Sequence, residues 1–210
     1  MTAVVKQFTP TGGVYVSDLD NQGLLEGLRG RQHGACAQLV LNHYQSVYRF
    51  LVHLTRNVHE AEDLTQETFA AAWEGIGAFE GRATFNTWLH RIAYTKFIDD
   101  RRAEQRAAGA CERRAGLAAA PAGPLDAAAA DDEARRLYRA LDELNAPERA
   151  LLVLHYLQGL SYRDMAAVLD EPTGTVKWRT AEALNRLRVL LSDEVPDHAP
   201  RTTSEPGPVA

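Results

Sequence analysis

The sequence predicts an all-α protein built as two small helical domains joined by a flexible linker, on three observations. Apolar residues recur at three- and four-residue spacing through two stretches, about 21–102 and 131–191, as one face of a helix requires. Runs of alternating Val, Ile and Thr between turn residues, the mark of strands, are missing. Between the two stretches, from Ala103 to Ala130, alanine dominates, broken by Gly109, Gly116, Pro121, Gly123 and Pro124, with only Leu117 and Leu125 as bulky aliphatics. Alanine favours helix, but this segment has too little apolar bulk to build a core.

Along the chain, residues 1–20 form a short leader containing Pro10, Gly12 and Gly13. A helix is predicted over 59–77. Ala61, Leu64, Thr68, Phe69, Ala72, Trp73 and Ile76 share one side of it, and Asp63, Gln66, Glu67 and Glu74 the other. The loop Phe79-Glu80-Gly81-Arg82-Ala83 follows, its glycine permitting a tight turn. A second helix, Thr84 to about Arg102, brings Phe85, Trp88, Leu89 and Ile92 together as core. In the second stretch Pro147 and Glu148 open a helix that Gly159 stops. Ser161-Tyr162-Arg163-Asp164 is a capping box, with Leu160 and Met165 placed as a hydrophobic staple. The short helix it starts ends near Leu169. Asp170-Glu171-Pro172 turns the chain, and a last helix runs from about Thr173 to Leu191. Two helices so joined form a helix-turn-helix, a pattern that also fits an ordinary αα-hairpin. From Ser192 onward four prolines and a net charge of −3 describe a disordered tail.

The 210 residues carry 23 Lys+Arg against 28 Asp+Glu, a net charge of −5 that taken as a total argues against a nucleic-acid partner. The distribution argues otherwise. Residues 57–80 hold six acidic groups and no Lys or Arg, residues 81–114 sum to +4, and the last helix, 173–191, sums to +3. All but Lys6, Lys96 and Lys177 of the basic residues are arginine, whose planar fork suits phosphate and base edges as well as surface ion pairs. Cys36 and Cys111 lie far apart, so neither a disulfide framework nor a Cys-rich zinc site is expected. No window of apolar residues is long enough to span a membrane, and Met1 to Asp20 lacks the order of a signal peptide; a soluble, cytoplasmic protein is expected.

On the last helix Val176, Thr180, Ala183, Leu184, Leu187, Leu190 and Leu191 form the packing face. Lys177, Trp178, Ala181, Glu182, Asn185 and Arg188 lie opposite, with Arg179 and Arg186 at the flanks. An outward Trp demands a partner surface or a stacking contact. The early residues of the second helix of a helix-turn-helix enter the major groove. Lys177, Trp178 and Ala181 are then groove-facing candidates, and Arg179, Arg186 and Arg188 phosphate holders.

Two blocks in this order resemble the extracytoplasmic-function (group IV) σ factors of bacterial RNA polymerase. The first is Ala61-Glu62-Asp63-Leu64-Thr65-Gln66-Glu67-Thr68-Phe69, then Trp73, Phe79-Glu80-Gly81, Phe85, Trp88-Leu89, Ile92-Ala93, Phe97-Ile98-Asp99 and Arg102, similar to σ region 2. The second is Pro147-Glu148-Arg149, Leu154, Tyr156, Gly159-Leu160-Ser161-Tyr162, Met165-Ala166, Leu169, Pro172, Gly174-Thr175-Val176-Lys177 and Arg179, similar to region 4. The resemblance covers about 21–191 and implies region 2 at 21–102, a linker at 103–130 and region 4 at 131–191, with the tail from 192 to 210. It implies that Asp63, Gln66 and Glu67 dock on the polymerase core (β′ clamp, with β nearby), which would explain an acidic face in a DNA-binding protein. It implies that Phe79, Arg82, Arg91, Thr95 and Lys96 serve the −10 element as single strand, Thr95 standing where many relatives carry Asn. It implies that Lys177, Trp178, Arg179, Ala181, Glu182, Arg186 and Arg188 serve the −35 duplex. Trp178 stands where relatives usually have Ser, and Glu182 where many have Arg. A carboxylate accepts from cytosine N4 and repels phosphate. The resemblance further implies a cognate anti-σ factor as partner, alongside core polymerase and promoter DNA.

Two other classes compete. An enzyme would need a convergent site, yet the seven histidines are scattered, His33-Gly34-Ala35-Cys36 is a lone HxxC, and His59-Glu60 lacks the second His of HExxH. No catalytic residue, metal or cofactor is expected. A free-standing helix-turn-helix regulator accounts for 131–191 but leaves the acidic stripe without a role.

Overall fold

The computed structural model describes residues 33–110 and 132–193, together with Gly27 and Gly30. The expected leader, most of the expected linker and nearly all of the expected tail lie outside the described residues. Every regular element among those described is helical.

Helix α1, His33–Thr55, was not delimited by the sequence pattern. It buries Leu39, Val47, Phe50, Leu51 and Leu54, an i, i+3, i+4 ladder. Arg56 takes a left-handed φ of 59°, and Asn57 then caps α2, Val58–Gly75, its side chain accepting from the His59 and Glu60 amides. Ala61, Leu64, Thr65, Thr68 and Ala72 are buried on α2. The two threonine hydroxyls reach no partner across the core but donate to Ala61 O (2.6 Å) and Leu64 O (2.7 Å), which removes the penalty of burying them. After a 3-10 turn at Ile76–Ala78, the loop passes through Gly81 at φ 73°, as its tight turn requires. Helix α3 runs Phe85–Ala110, eight residues past the expected end. The side chains of 102–107 are exposed, so this extension is held by Ala, Arg, Gln and Glu helix propensity rather than by packing.

Helix α4, Asp132–Glu143, was also not delimited beforehand. Helix α5, Ala146–Leu152, starts at Asn145, whose side chain accepts from Glu148 N at 2.9 Å, and continues as a π turn over Val153–Leu157. Gly159 at φ 68° ends it. Ser161 caps α6, Tyr162–Leu169, and Asp170 in the left-handed region leads into α7, Thr173–Asp193. The expected helix-turn-helix is thus found with its boundaries nearly unchanged.

The two halves are not independent bodies on a tether. Helices α1, α2 and α3 pack mutually, and α7 packs on α4, α5 and α6, but α1 also meets α5 and α3 meets α6. One continuous core runs from Phe50, Leu51 and Phe97 to Leu151, Leu154, Met165 and Val168. A smaller cluster of Ala140, Leu141, Leu144, Leu152, Ala183 and Leu187 lies under α4 and α7. Polar contacts cross the same boundary. Ser46 donates to Gln158 (2.7 Å), Arg56 pairs with Asp142 (3.6 Å), and the buried Arg149 guanidinium donates to Leu54 O at 3.1 Å.

Candidate polymerase-side and nucleic-acid interfaces

The acidic stripe is set by α2. Burying the Ala61–Leu64–Thr68–Ala72 line turns Asp63, Gln66 and Glu67 outward, where all three are exposed. Asp63 and Gln66 have no side-chain partner among the described residues. Glu67 differs: its carboxylate meets Lys96 Nζ on α3 at 3.3 Å. Glu60, behind the stripe, pairs with Arg101, and burial raises its pKa against the opposing pull of that cation.

Between α2 and α3 lies an open groove of about 590 Å³, lined in part by Leu64, Glu67, Trp88, Arg91, Thr95 and Lys96. The structure therefore brings Arg91, Thr95 and Lys96 together, as expected. Thr95 Oγ1 donates to Arg91 O (2.9 Å), leaving its lone pairs open to the groove. Arg91 also reaches Asp170 of the opposite domain at 3.4 Å. Arg82 stands apart in the exposed loop, paired with Glu80.

Phe79, expected with the −10 residues, is 6% exposed and packs edge-on to Phe85 (5.4 Å between centroids) and tilted against Trp88 (5.0 Å). The energy of burying an aromatic ring in a three-ring cluster outweighs any preference for a loop tip, and Phe79 touches the groove-lining Trp88. Phe85 and half-buried Trp88 are core, as expected.

Helix α7 buries Val176, Thr180, Ala183 and Leu187 and so presents Lys177, Trp178, Ala181, Glu182 and Asn185 to solvent. Lys177 Nζ lies 5.9 Å from the Tyr162 ring centroid. Arg179 is not a free phosphate ligand in this arrangement. It is tied to Glu171 in the turn, both side chains under a third exposed, because the turn brings that carboxylate against the first part of α7. Arg186 meets Glu148 at 3.2 Å and Arg188 donates to Asn185 at 3.1 Å. Reasoning from sequence missed the pairs Glu67–Lys96, Arg91–Asp170 and Arg179–Glu171. The first two join separate elements, and only the last, eight positions apart across a turn, carried a local signal. Among the described residues no group of three or more His, Cys, Asp or Glu side chains is placed to hold a metal ion, and no helix is long and apolar enough to cross a membrane.

Comparison with known proteins gives a consistent result. Residues 39–107 match the Sigma-70 region 2 family and residues 134–187 the Sigma-70 region 4 family. The chain is 33% identical over 215 residues to the ECF RNA polymerase sigma factor SigE of Mycolicibacterium smegmatis, covering 95% of this chain and 77% of that protein. It is 30% identical over 168 residues to the ECF sigma factor SigW of Bacillus subtilis, covering 76% of this chain and 90% of the relative. Among solved structures, the sigma factor RpoE from Bartonella quintana, in complex with the anti-sigma factor NepR, matches with a TM-score of 0.61 at 28% identity, over 75% of this chain and 97% of that one. CnrH in complex with the cytosolic domain of CnrY matches with a TM-score of 0.61 at 26% identity, over 81% and 96% of the two chains.

Proposed function

This chain belongs to the extracytoplasmic-function RNA polymerase sigma factors, acting as an alternative sigma factor in transcription initiation, and from that premise we propose how its surfaces divide the work. The stripe Asp63, Gln66 and Glu67 docks on core polymerase at the β′ clamp, with β also in contact. The groove bearing Arg91, Thr95 and Lys96, together with Arg82 in the loop before α3, takes the −10 element as single strand. The outward face of α7 takes the −35 element as duplex. One observation carries the division: α2 turns Asp63 and Gln66 outward with no side-chain partner among the described residues, while α3 and α7 carry cations on their exposed faces. Phosphate is repelled by the first and attracted by the others. A free-standing regulator is not favoured, because it leaves the region 2 half without a task.

Promoter binding on this reading requires the halves to separate. Elements two duplex turns apart lie ~68 Å from each other. Residues 111–131 span at most ~71 Å when fully extended. That is shorter than the ~95 Å open to the whole of 103–130 at ~3.4 Å per residue, because α3 absorbs residues 103–110. The reach suffices only if the α3–α6 and α1–α5 contacts open. An anti-sigma factor, the kind of partner seen with RpoE of B. quintana, is the protein expected to bind when they do not. The site of action is the cytoplasm, and the reading calls for no cofactor.

The test is a charge reversal. Asp63→Arg with Gln66→Ala should weaken binding to core polymerase at least tenfold, since a like-charge contact replaces an attractive one. Both side chains are exposed, so the circular dichroism spectrum and melting midpoint should stay unchanged. Undiminished core affinity in the double variant would remove the stripe from the polymerase interface.

A further inference from the structure

The centre of the outward face of α7 is chemically odd for a surface that meets DNA. Trp178 is 67% exposed, and its indole makes no hydrogen bond or ring contact among the described residues. One turn later on the same line stands Glu182, exposed, with Ala181 beside it. The neighbouring cations are engaged: Arg179 with Glu171, Arg186 with Glu148, and Arg188 with the Asn185 side chain. Lys177, over the Tyr162 ring, lies to one side. What points straight out is an indole, a methyl group and a carboxylate.

Few groups in a major groove satisfy that set. Thymine alone presents a methyl group there, and cytosine alone presents a single amino donor with no acceptor. Guanine offers two acceptors that a carboxylate cannot pair with. Side chains four apart on a helix are separated by ~5–6 Å at Cβ. Base pairs repeat every ~3.4 Å, so Trp178 and Glu182 reach pairs one or two steps apart.

We infer that Trp178 and Glu182 are specificity-determining residues of the upstream promoter contact. Trp178 packs on a thymine C5 methyl, and Glu182 accepts a hydrogen bond from the N4 amino group of a cytosine one or two base pairs away. The inference rests on the reading of α7 as the −35 helix. It departs from cation-to-guanine readout: here the face selects a methyl group and an amino donor, and it disfavours guanine at the position facing Glu182.

Holoenzyme reconstituted from core polymerase and the full chain would be selected on a promoter library randomised upstream of a start site that it uses. The expected result is enrichment of a −35 element with a thymine and a cytosine at fixed spacing. Deoxyuridine in place of that thymine removes only the methyl group. It should weaken binding of the wild-type holoenzyme roughly fourfold, the value of one buried methyl, and leave Trp178→Ala holoenzyme unaffected. Glu182→Ala should level the preference for cytosine. Both positions are exposed, so the variants should fold normally. An equal deoxyuridine penalty in wild type and Trp178→Ala would overturn the inference, as would an enriched element unchanged in both variants or a uniform loss of affinity on every sequence. No upstream enrichment by the wild-type holoenzyme would overturn the −35 reading itself, and the inference with it.

Discussion

Arg149→Ala is expected to lower the unfolding free energy of the full chain by about 3 kcal/mol, the scale of removing a buried charge bonded through both terminal nitrogens. Arg149 is 4% exposed. One arm of its guanidinium donates to Asp142 O (3.2 Å) and Leu144 O (3.1 Å), and the other to Leu54 O (3.1 Å). Those carbonyls close the ends of α4 and α1, which belong to different domains, so one side chain satisfies helix ends on both sides of the boundary. Burial pushes its pKa down to about 10, against the opposing pull of Asp142. The group remains charged at neutral pH, and truncation leaves all three carbonyls, two of them in buried bonds, without this donor. Arg149→Lys should recover only part of the loss, because an ammonium cannot extend two arms in a plane. Urea unfolding followed by circular dichroism measures the difference. A fluorescence pair placed on exposed sites of α1 and α7 should also lengthen in Arg149→Ala. A loss below about 1 kcal/mol with an unchanged distance would show that the apolar core alone holds the halves together.

What the sequence revealed and what it hid divide by the range of the interaction. The α6–α7 hairpin was legible because its signals are local: Ser161 bonds Asp164 N three residues on, and Asp170-Glu171-Pro172 cannot continue a helix. The acidic stripe was legible because α2 buries a single clean line. Helix α1 was not delimited because it buries residues on several sides, Leu51, Val52, His53 and Leu54 among them, which erases the contrast a wheel depends on. The contact between domains was invisible for a different reason. Ser46 and Gln158 are 112 positions apart, and nothing in either neighbourhood announces the other. The burial of Phe79 was hidden because loop position and tertiary packing disagree, and packing decides where a phenyl ring sits. Arg179 kept its expected place on the helix but not its expected freedom, since a cation on a binding face can be engaged by the turn that positions it.

Acidification from pH 7 to pH 5 is expected to cost about 2 kcal/mol of stability through His90 alone. The imidazole is fully buried on α3, tilted against Phe50 at 5.1 Å, with Nδ1 bonded to Asn86 O at 2.8 Å. Burial pushes its pKa from 6.5 to about 4, the hydrogen bond with Asn86 opposing the shift. Below pH 6.5 the unfolded chain takes up a proton that the folded chain refuses until about pH 4. The stability is thus whole above pH 6.5 and drains away as pH falls towards 4. His43, also depressed by burial, adds in the same sense. Glu60 and Asp142 act oppositely: burial raises both carboxyls, so the folded chain binds their protons more readily than the unfolded one as pH falls through the carboxylate range. The upper part of the window therefore belongs to the histidines. His90→Gln, neutral throughout, should flatten the urea-midpoint profile between pH 7 and 5, leaving the shallower slope that His43 contributes. A wild-type profile already flat over that interval, or a variant as steep as wild type, would remove His90 as the origin. His90 immediately precedes Arg91 on the helix that also carries Thr95 and Lys96, so its protonation forces a charge into the core packing of the helix that lines the groove proposed for the −10 element. If the proposed −10 role of that groove holds, loss of single-strand binding should track the same pH midpoint as unfolding, and both should move together in His90→Gln.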